Sequence, residues 1–246
     1  MPLSFIQPDW PAPANVHALS TTRLGGLSSG PFAGLNLGDH VGDDPVRVEE
    51  NRALLQRDAA IPGTLPWLRQ VHGITVHPAA TPSVTAPEAD AACAHAPGHP
   101  CVVMTADCLP VLFCDRAGTV IAAAHAGWRG LHAGVLEASV TAMGCDPAEV
   151  LAWLGPAIGP DAFEVGSEVR TAFIAEQAEA SEAFKPSANA DKWLANLYQL
   201  ARLRLRRAGV SAIYGGEFCT VSDATRFYSY RRDGQTGRMA SLIWLA

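Results

Sequence analysis

The sequence predicts a mixed α/β fold of the α+β class, one domain over residues 1–246. Three observations predict it. Short β-branched apolar runs interleave with stretches of helical period along the chain. No composition break, linker or internal repeat separates the two kinds of segment. Hydrophobic residues make up 48% and charged residues only 17% of the 246 positions, enough for a substantial core.

Taken in order, His17–Thr22 reads as a strand and runs into a polar glycine loop, 23–30, that Asn36-Leu37-Gly38 continues. No Gly-Lys-Ser/Thr follows the glycines, so the loop is not a phosphate-binding P-loop. Asp43 or Asp44 can cap, and Pro45 open, a helix to about Arg57. Trp67–Val71 and Ile74–His77 alternate like paired strands about His72-Gly73. A loop-prone connector over 79–100 holds short structure near Ala89–Cys93. Cys101–Met104, Val111–Cys114 and Thr119–Ala124 have the content of buried strands. The period then becomes helical, with Leu131, Val135, Leu136 and Val140, until Gly144. Val150–Gly155 reads as a strand and Ser167–Glu176 as a helix. Asp191–Ala208 reads as the clearest helix, with Gly209 as its stop. Phe227–Gly234 and Arg238–Leu245 read as two strands joined by a glycine-containing loop.

Composition excludes several function classes. The net charge of −6, with no basic block except Arg202–Arg207 on a helix face, argues against nucleic acid as the main partner. No apolar run approaches a bilayer span, and the start lacks a signal-peptide pattern. The six cysteines show no C-x-x-C pair, as expected of free thiols in a cytoplasmic protein. No obligate protein partner is evident, and a small-molecule substrate is expected.

Three residues in the strand-like runs have no packing reason to be there: His72, Cys108 and His125. Taken singly, each has a plainer explanation, a buried small thiol or a hydrogen-bonded imidazole. Context raises their interest. Cys108 follows Asp107, a charge that is costly in an apolar run unless it is paired or used. His125 is followed by two glycines and Arg129, where a helix N-terminus favours an anion. Two chemistries fit. The three can hold zinc with an open fourth position, or Cys108 can act as a nucleophile with a histidine as its base. Sequence alone leaves both open.

The motifs T-T-R-x-G-G-x-S-x-G-P at 21–31, L-N-L-G-D-H-V-G-D-D at 35–44, Q-V-H-G at 70–73, T-A-D-C-x-P-V at 105–111, H-A-G-W-R-G at 125–130, G-P-A-I-G at 155–159 and F-Y-S-Y-R-R-D-G-x-T-G-R at 227–238 resemble the YfiH or laccase-domain family. The resemblance spans nearly the whole chain. It implies a single domain of mixed β-sheets flanked by helices, with His72, Cys108 and His125 as metal ligands. The family is variously called polyphenol oxidase, purine nucleoside phosphorylase and peptidoglycan editing factor. The resemblance implies a zinc-dependent phosphorylase acting on adenosine, inosine and 5′-methylthioadenosine, with an adenosine deaminase side activity. A cysteine amidase editing peptidoglycan precursors ranks second and a copper-dependent oxidase third. A multicopper cluster needs paired H-x-H motifs, and no two of the eight histidines are separated by one residue.

For phosphorolysis, Arg129 is the first candidate to hold phosphate, with Arg23 and Arg231 behind it and Asn36 as a further substrate-binding candidate. Asp107 is the candidate proton carrier, beside Cys108, His72 and His125 as the catalytic set.

Overall fold

The computed structural model describes residues 3–246. The strands are β1 (Phe5–Ile6), β2 (Val16–Thr21), β3 (Val76–Pro78), β4 (Ala91–Ala94), β5 (Cys101–Thr105), β6 (Leu109–Asp115), β7 (Ile121–Ala126), β8 (Val150–Leu154), β9 (Glu164–Gly166), β10 (Phe184–Pro186), β11 (Lys192–Ala195), β12 (Ala212–Gly215) and β13 (Met239–Leu245). The helices are α1 (Pro45–Asp58), α2 (Trp128–Ala133), α3 (Val135–Met143), α4 (Ser167–Glu176), α5 (Leu197–Arg207) and the single turn α6 (Tyr230–Asp233). The strands form a four-stranded sheet, β1-β2-β13-β5, a six-stranded mixed sheet, β12-β8-β6-β7-β4-β3, and a small sheet, β10-β11-β9.

Alternation along the strands makes the layers. Side chains two apart point to the same face, and every residue of β5, β6, β7, β8 and β13 is buried. Ala122 and Ala124 of β7, with Val111 and Phe113 of β6, pack on Val135 and Val140 of α3 and Leu200 and Leu205 of α5. The alternate residues, Ile121, Ala123, Leu112 and Cys114, pack against Cys101, Val103, Ile243 and Leu245 of the other large sheet. That sheet's far face, with Leu19, Val102 and Leu242, is covered by Leu55 of α1 and by Leu35 and Leu37. The two large sheets therefore lie face to face with helices outside. Burying each valine, leucine or isoleucine side chain between them contributes about 1.5–3 kcal/mol.

The helix α1 begins as its sequence dictates: Asp44 accepts from the Val46 N–H, and Pro45 occupies the first turn. Five segments differ from expectation. Trp67–Val71 and Ile74–His77 do not pair with each other; only Val76–Pro78 is a strand, parallel to β4. The backbone N–H groups of residues 71–73 are taken instead by the carboxylate of Asp90. The helix expected from Leu131 to Gly144 starts earlier, at Trp128, and is broken at Gly134, whose φ of 105° an L side chain rarely adopts.

Asp191–Ala208 is not one helix. Lys192–Ala195 pairs on both sides, with β9 and β10, and Asn196 then caps α5 by accepting from the Gln199 N–H. Finally, Phe227–Gly234 is not a strand. Both edges of β13 are already paired, with β2 and β5, so no edge remains there for a hairpin partner. Tyr228 is buried and donates its hydroxyl to the Phe32 carbonyl, and Ser229 caps α6 by accepting from the Arg232 N–H.

Among the described residues, no helix is long and apolar enough to cross a membrane.

Candidate metal centre

One end of the space between the two large sheets opens into a cavity of about 400 Å³, lined by His40, Gln70, His72, Met104, Thr105, Ala106, Cys108, His125, Tyr230 and Arg238. Four strands deliver these residues together. Met104 and Thr105 end β5, Cys108 precedes β6, His125 lies near the end of β7 and Arg238 precedes β13. Within β7, His125 is in step with Ile121 and Ala123, so it points between the sheets rather than toward α3.

Strand register then supplies a neighbour that sequence reading missed. Ala91 of β4 pairs with Ala124 of β7, so the next step sets Asp90 opposite His125, and the His125 N–H donates to the Asp90 carbonyl at 2.7 Å. The Asp90 side chain is fully buried and receives four N–H donors. These are His125 Nδ1 at 2.8 Å and the amides of Val71 at 3.1 Å, His72 at 2.9 Å and Gly73 at 2.7 Å. Burial alone would raise this carboxyl; the bonds from His125, Gly73 and Val71 outweigh it and hold it below the usual carboxylate range. The available signal was the one applied to Asp107, a carboxylate entering an apolar run.

With Nδ1–H donated to the Asp90 carboxylate, neutral His125 presents a lone pair on Nε2. His72 sits at φ 62° in the loop that Asp90 ties down, and its ring lies 4.8 Å from that of His125. Cys108 Sγ is 3.8 Å from His72 Nε2. The donor atoms of His72, Cys108 and His125 all lie within 4.8 Å of one another, the one such group of three or more among the described residues. Burial would raise the Cys108 thiol, but the charges of His125 and His72 bring it down to about 6. The same thiolate, with Asp90, raises His125 against the effect of its burial. A thiolate and two imidazoles facing one point are a transition-metal donor set.

The backbone leaves room for them. Gly127 stands opposite Cys108 in the continued β6–β7 register. A Cβ there would lie 2.7 Å from His72 Cδ2 and 2.9 Å from Cys108 Sγ. Its φ of −61° is open to any residue, so the demand is for space. Gly127→Ala is expected to leave the fold intact and to weaken metal binding by at least about tenfold, since small displacements of ligands are felt strongly. Metal content beside the far-ultraviolet spectrum checks both halves.

The other candidate residues fall elsewhere. Asp107, at φ 94°, has both carboxylate oxygens engaged: Oδ1 accepts from the Thr220 hydroxyl at 2.6 Å and Oδ2 from the Arg231 N–H at 2.7 Å. It does not line the cavity; its place is in holding the turn that carries Cys108. A left-handed non-glycine residue costs about 1–3 kcal/mol, and His72 and Asp107 are both of this kind. Arg129 is exposed, its guanidinium 4.5 Å from the centre of the Trp128 ring. Arg23 donates to the carbonyls of Ala224 and Ala33, and Arg231 to those of Ala162 and Glu164. Asn36 is buried and bonded within the protein. None of these four lines the cavity, whereas Arg238, Tyr230, Gln70 and His40 do.

A sequence model of the family described as multi-copper polyphenol oxidoreductase laccase matches residues 17–246. The chain belongs to that family. It is 59% identical to a purine nucleoside phosphorylase of Pseudomonas aeruginosa, over 98% of both chains. It is 56% identical, over 98% of both chains, to the Escherichia coli protein named purine nucleoside phosphorylase YfiH. Among solved structures, a Neisseria meningitidis protein at 54% identity superposes with a TM-score of 0.94 over 98% of each chain. YlmD of Geobacillus stearothermophilus, at 31% identity, gives 0.90 over 98% of this chain and 96% of its own. Members of the family therefore share this mixed α+β architecture with the present chain.

Proposed function

We propose that this protein is a zinc-dependent purine nucleoside phosphorylase that cleaves adenosine, inosine and 5′-methylthioadenosine with phosphate. The observation that carries the reading is the convergence of His72, Cys108 and His125 on one small-molecule cavity. The names of relatives at 59% and 56% identity support the activity. The cavity falls in the size range of ligand pockets. Three protein donors with a cavity beside them fit a catalytic rather than a closed structural zinc site.

In the reaction a phosphate oxygen forms a bond to C1′ as the C1′–N9 bond breaks. The bonding pair leaves with the purine, which takes up a proton. Zinc, when bound, supplies Lewis acidity at the end of the cavity. Asp90 fixes the tautomer of His125 and the His72 loop, and Asp107 fixes the Cys108 turn. Both spare the site reorganisation during the reaction. An adenosine deaminase side activity belongs in the same cavity. Asp107, with both oxygens engaged by Thr220 and Arg231, is not assigned the proton transfer of that activity.

The amidase reading has one observation in its favour: Cys108, His125 and Asp90 line up as thiol, base and orienting carboxylate. A nucleophile needs one imidazole, however, and two face this sulfur. A multi-copper oxidase needs a second, larger donor cluster, and the described residues offer one group only.

The test is release of ribose 1-phosphate from inosine and adenosine in phosphate buffer, with and without a zinc chelator. Product that vanishes on chelation and returns with zinc is expected. Absence of product from zinc-loaded protein would overturn the reading, and metal-independent cleavage of murein precursors would install the amidase.

A further inference from the structure

We propose that Arg238 is the residue that binds the phosphate co-substrate, and that Gly38 is glycine in order to make room for it. The inference deepens the phosphorylase reading and rests on it for the identity of the anion.

Phosphorolysis needs a cation that faces the reacting end of the cavity. Arg238 is the one arginine that lines it, in company with His72, Cys108 and His125. It has no carboxylate within ion-pair distance among the described residues; the ion pairs of the chain are made elsewhere. Its Nη1 donates to the carbonyls of Thr236 at 3.0 Å and Gly237 at 3.1 Å, which fixes the plane of the guanidinium. Its Nε and Nη2 make no bond to the protein among the described residues. Those two N–H directions form the edge that grips phosphate with paired bonds. Burial lowers its pKa, and the charges of Cys108 and Asp107 act against that. A half-buried guanidinium without a carboxylate is costly unless an anion completes it.

Two other residues serve this arrangement. Asn36 Oδ1 accepts from both the Arg238 N–H at 2.9 Å and the Gly38 N–H at 3.0 Å, tying the two segments together. A Cβ on Gly38 would come within 2.7 Å of Arg238 Cγ and 3.2 Å of its Cβ. Gly38 is not in the left-handed region, so space for the arginine stem is the reason for glycine. Asn36 therefore acts through Arg238 rather than on substrate, a positioning residue 202 positions away in the chain.

The experiment uses the full-length, zinc-loaded protein and the variants Arg238→Gln, Arg238→Lys and Gly38→Ala. Phosphate KM and nucleoside KM are measured separately, and binding of inorganic phosphate is measured by calorimetry. Arg238→Gln is expected to weaken phosphate about 10- to 100-fold, the scale of a charge-assisted contact, with nucleoside KM nearly unchanged. Arg238→Lys should recover part of the loss, because charge remains without the paired edge. Gly38→Ala should weaken phosphate with Arg238 still present. Phosphate affinity equal to wild type in folded Arg238→Gln would overturn the proposal. So would a fall in zinc content with phosphate affinity unchanged in the zinc-loaded fraction, which assigns Arg238 to neutralising Cys108. If the wild-type protein binds phosphate through Arg238 yet cleaves no nucleoside, the phosphorylase reading fails and the anion site stands.

Discussion

Cys108→Ala is expected to remove both zinc and turnover, leaving phosphorolysis at least about 100-fold below wild type in the presence of added metal. The thiolate is the only anionic donor among His72, Cys108 and His125, and metal binding at such a site is bound up with deprotonation of the thiol. Cys108→Ser, nearly isosteric, should fail almost as badly, because a neutral hydroxyl does not replace a soft thiolate. The same sulfur separates the leading reading from the amidase. With its thiol brought down to about 6, Cys108 in metal-free protein is mostly thiolate at neutral pH and should alkylate fast. Burial pushes Cys101 well up, Cys93 up to about 11 and Cys114 up to about 12, and these should react slowly. If Cys108 is a ligand, zinc protects it and alkylation blocks zinc uptake. Full turnover and unchanged zinc content in Cys108→Ala would sink the metal site and the phosphorylase mechanism together.

The three donors were legible in the sequence because each is a chemically expensive residue in a run that packing explains without it. His125 among alanines and Cys108 after an aspartate need no knowledge of the fold to attract attention. What surrounds them was not legible, because it depends on register and on which sheet edges are free. Asp90 matters only once Ala91 is known to face Ala124. Arg238 reaches the cavity because β13 is threaded between β2 and β5, a pairing across more than half the chain. Arg231, a candidate behind Arg129 in the sequence, does not line the cavity; its Nη1 donates to the carbonyls of Ala162 and Glu164. The same non-local pairing explains the misread elements. Trp193 and Leu194 satisfy a helical period, yet two flanking strands claim their backbone first.

Asp90→Asn is expected to weaken zinc binding by about 10- to 100-fold, the effect usual for the partner that orients a metal-bound histidine. The carboxylate holds the Nδ1 proton of His125 and, with the same two oxygens, the amides that set His72 at its left-handed φ. One side chain thereby places two of the three donors. An asparagine keeps one oxygen for the loop but presents N–H groups where N–H groups already point, so either His125 turns over or the 71–73 amides lose a partner. Asp90→Ala goes further and leaves four N–H donors, that of the buried His125 among them, without their acceptor. The buried His125 donor alone would cost about 1–3 kcal/mol, a sizeable part of the 5–15 kcal/mol that stabilises a typical domain. Asp90→Ala is therefore expected to unfold at a clearly lower temperature even without metal, whereas Asp90→Asn should fold and separate the two roles. Competition of zinc against a calibrated chelator, beside the melting temperature of the metal-free protein, reads both effects. Wild-type zinc affinity in Asp90→Asn would show that His125 is held by its strand alone and that the carboxylate serves only the loop.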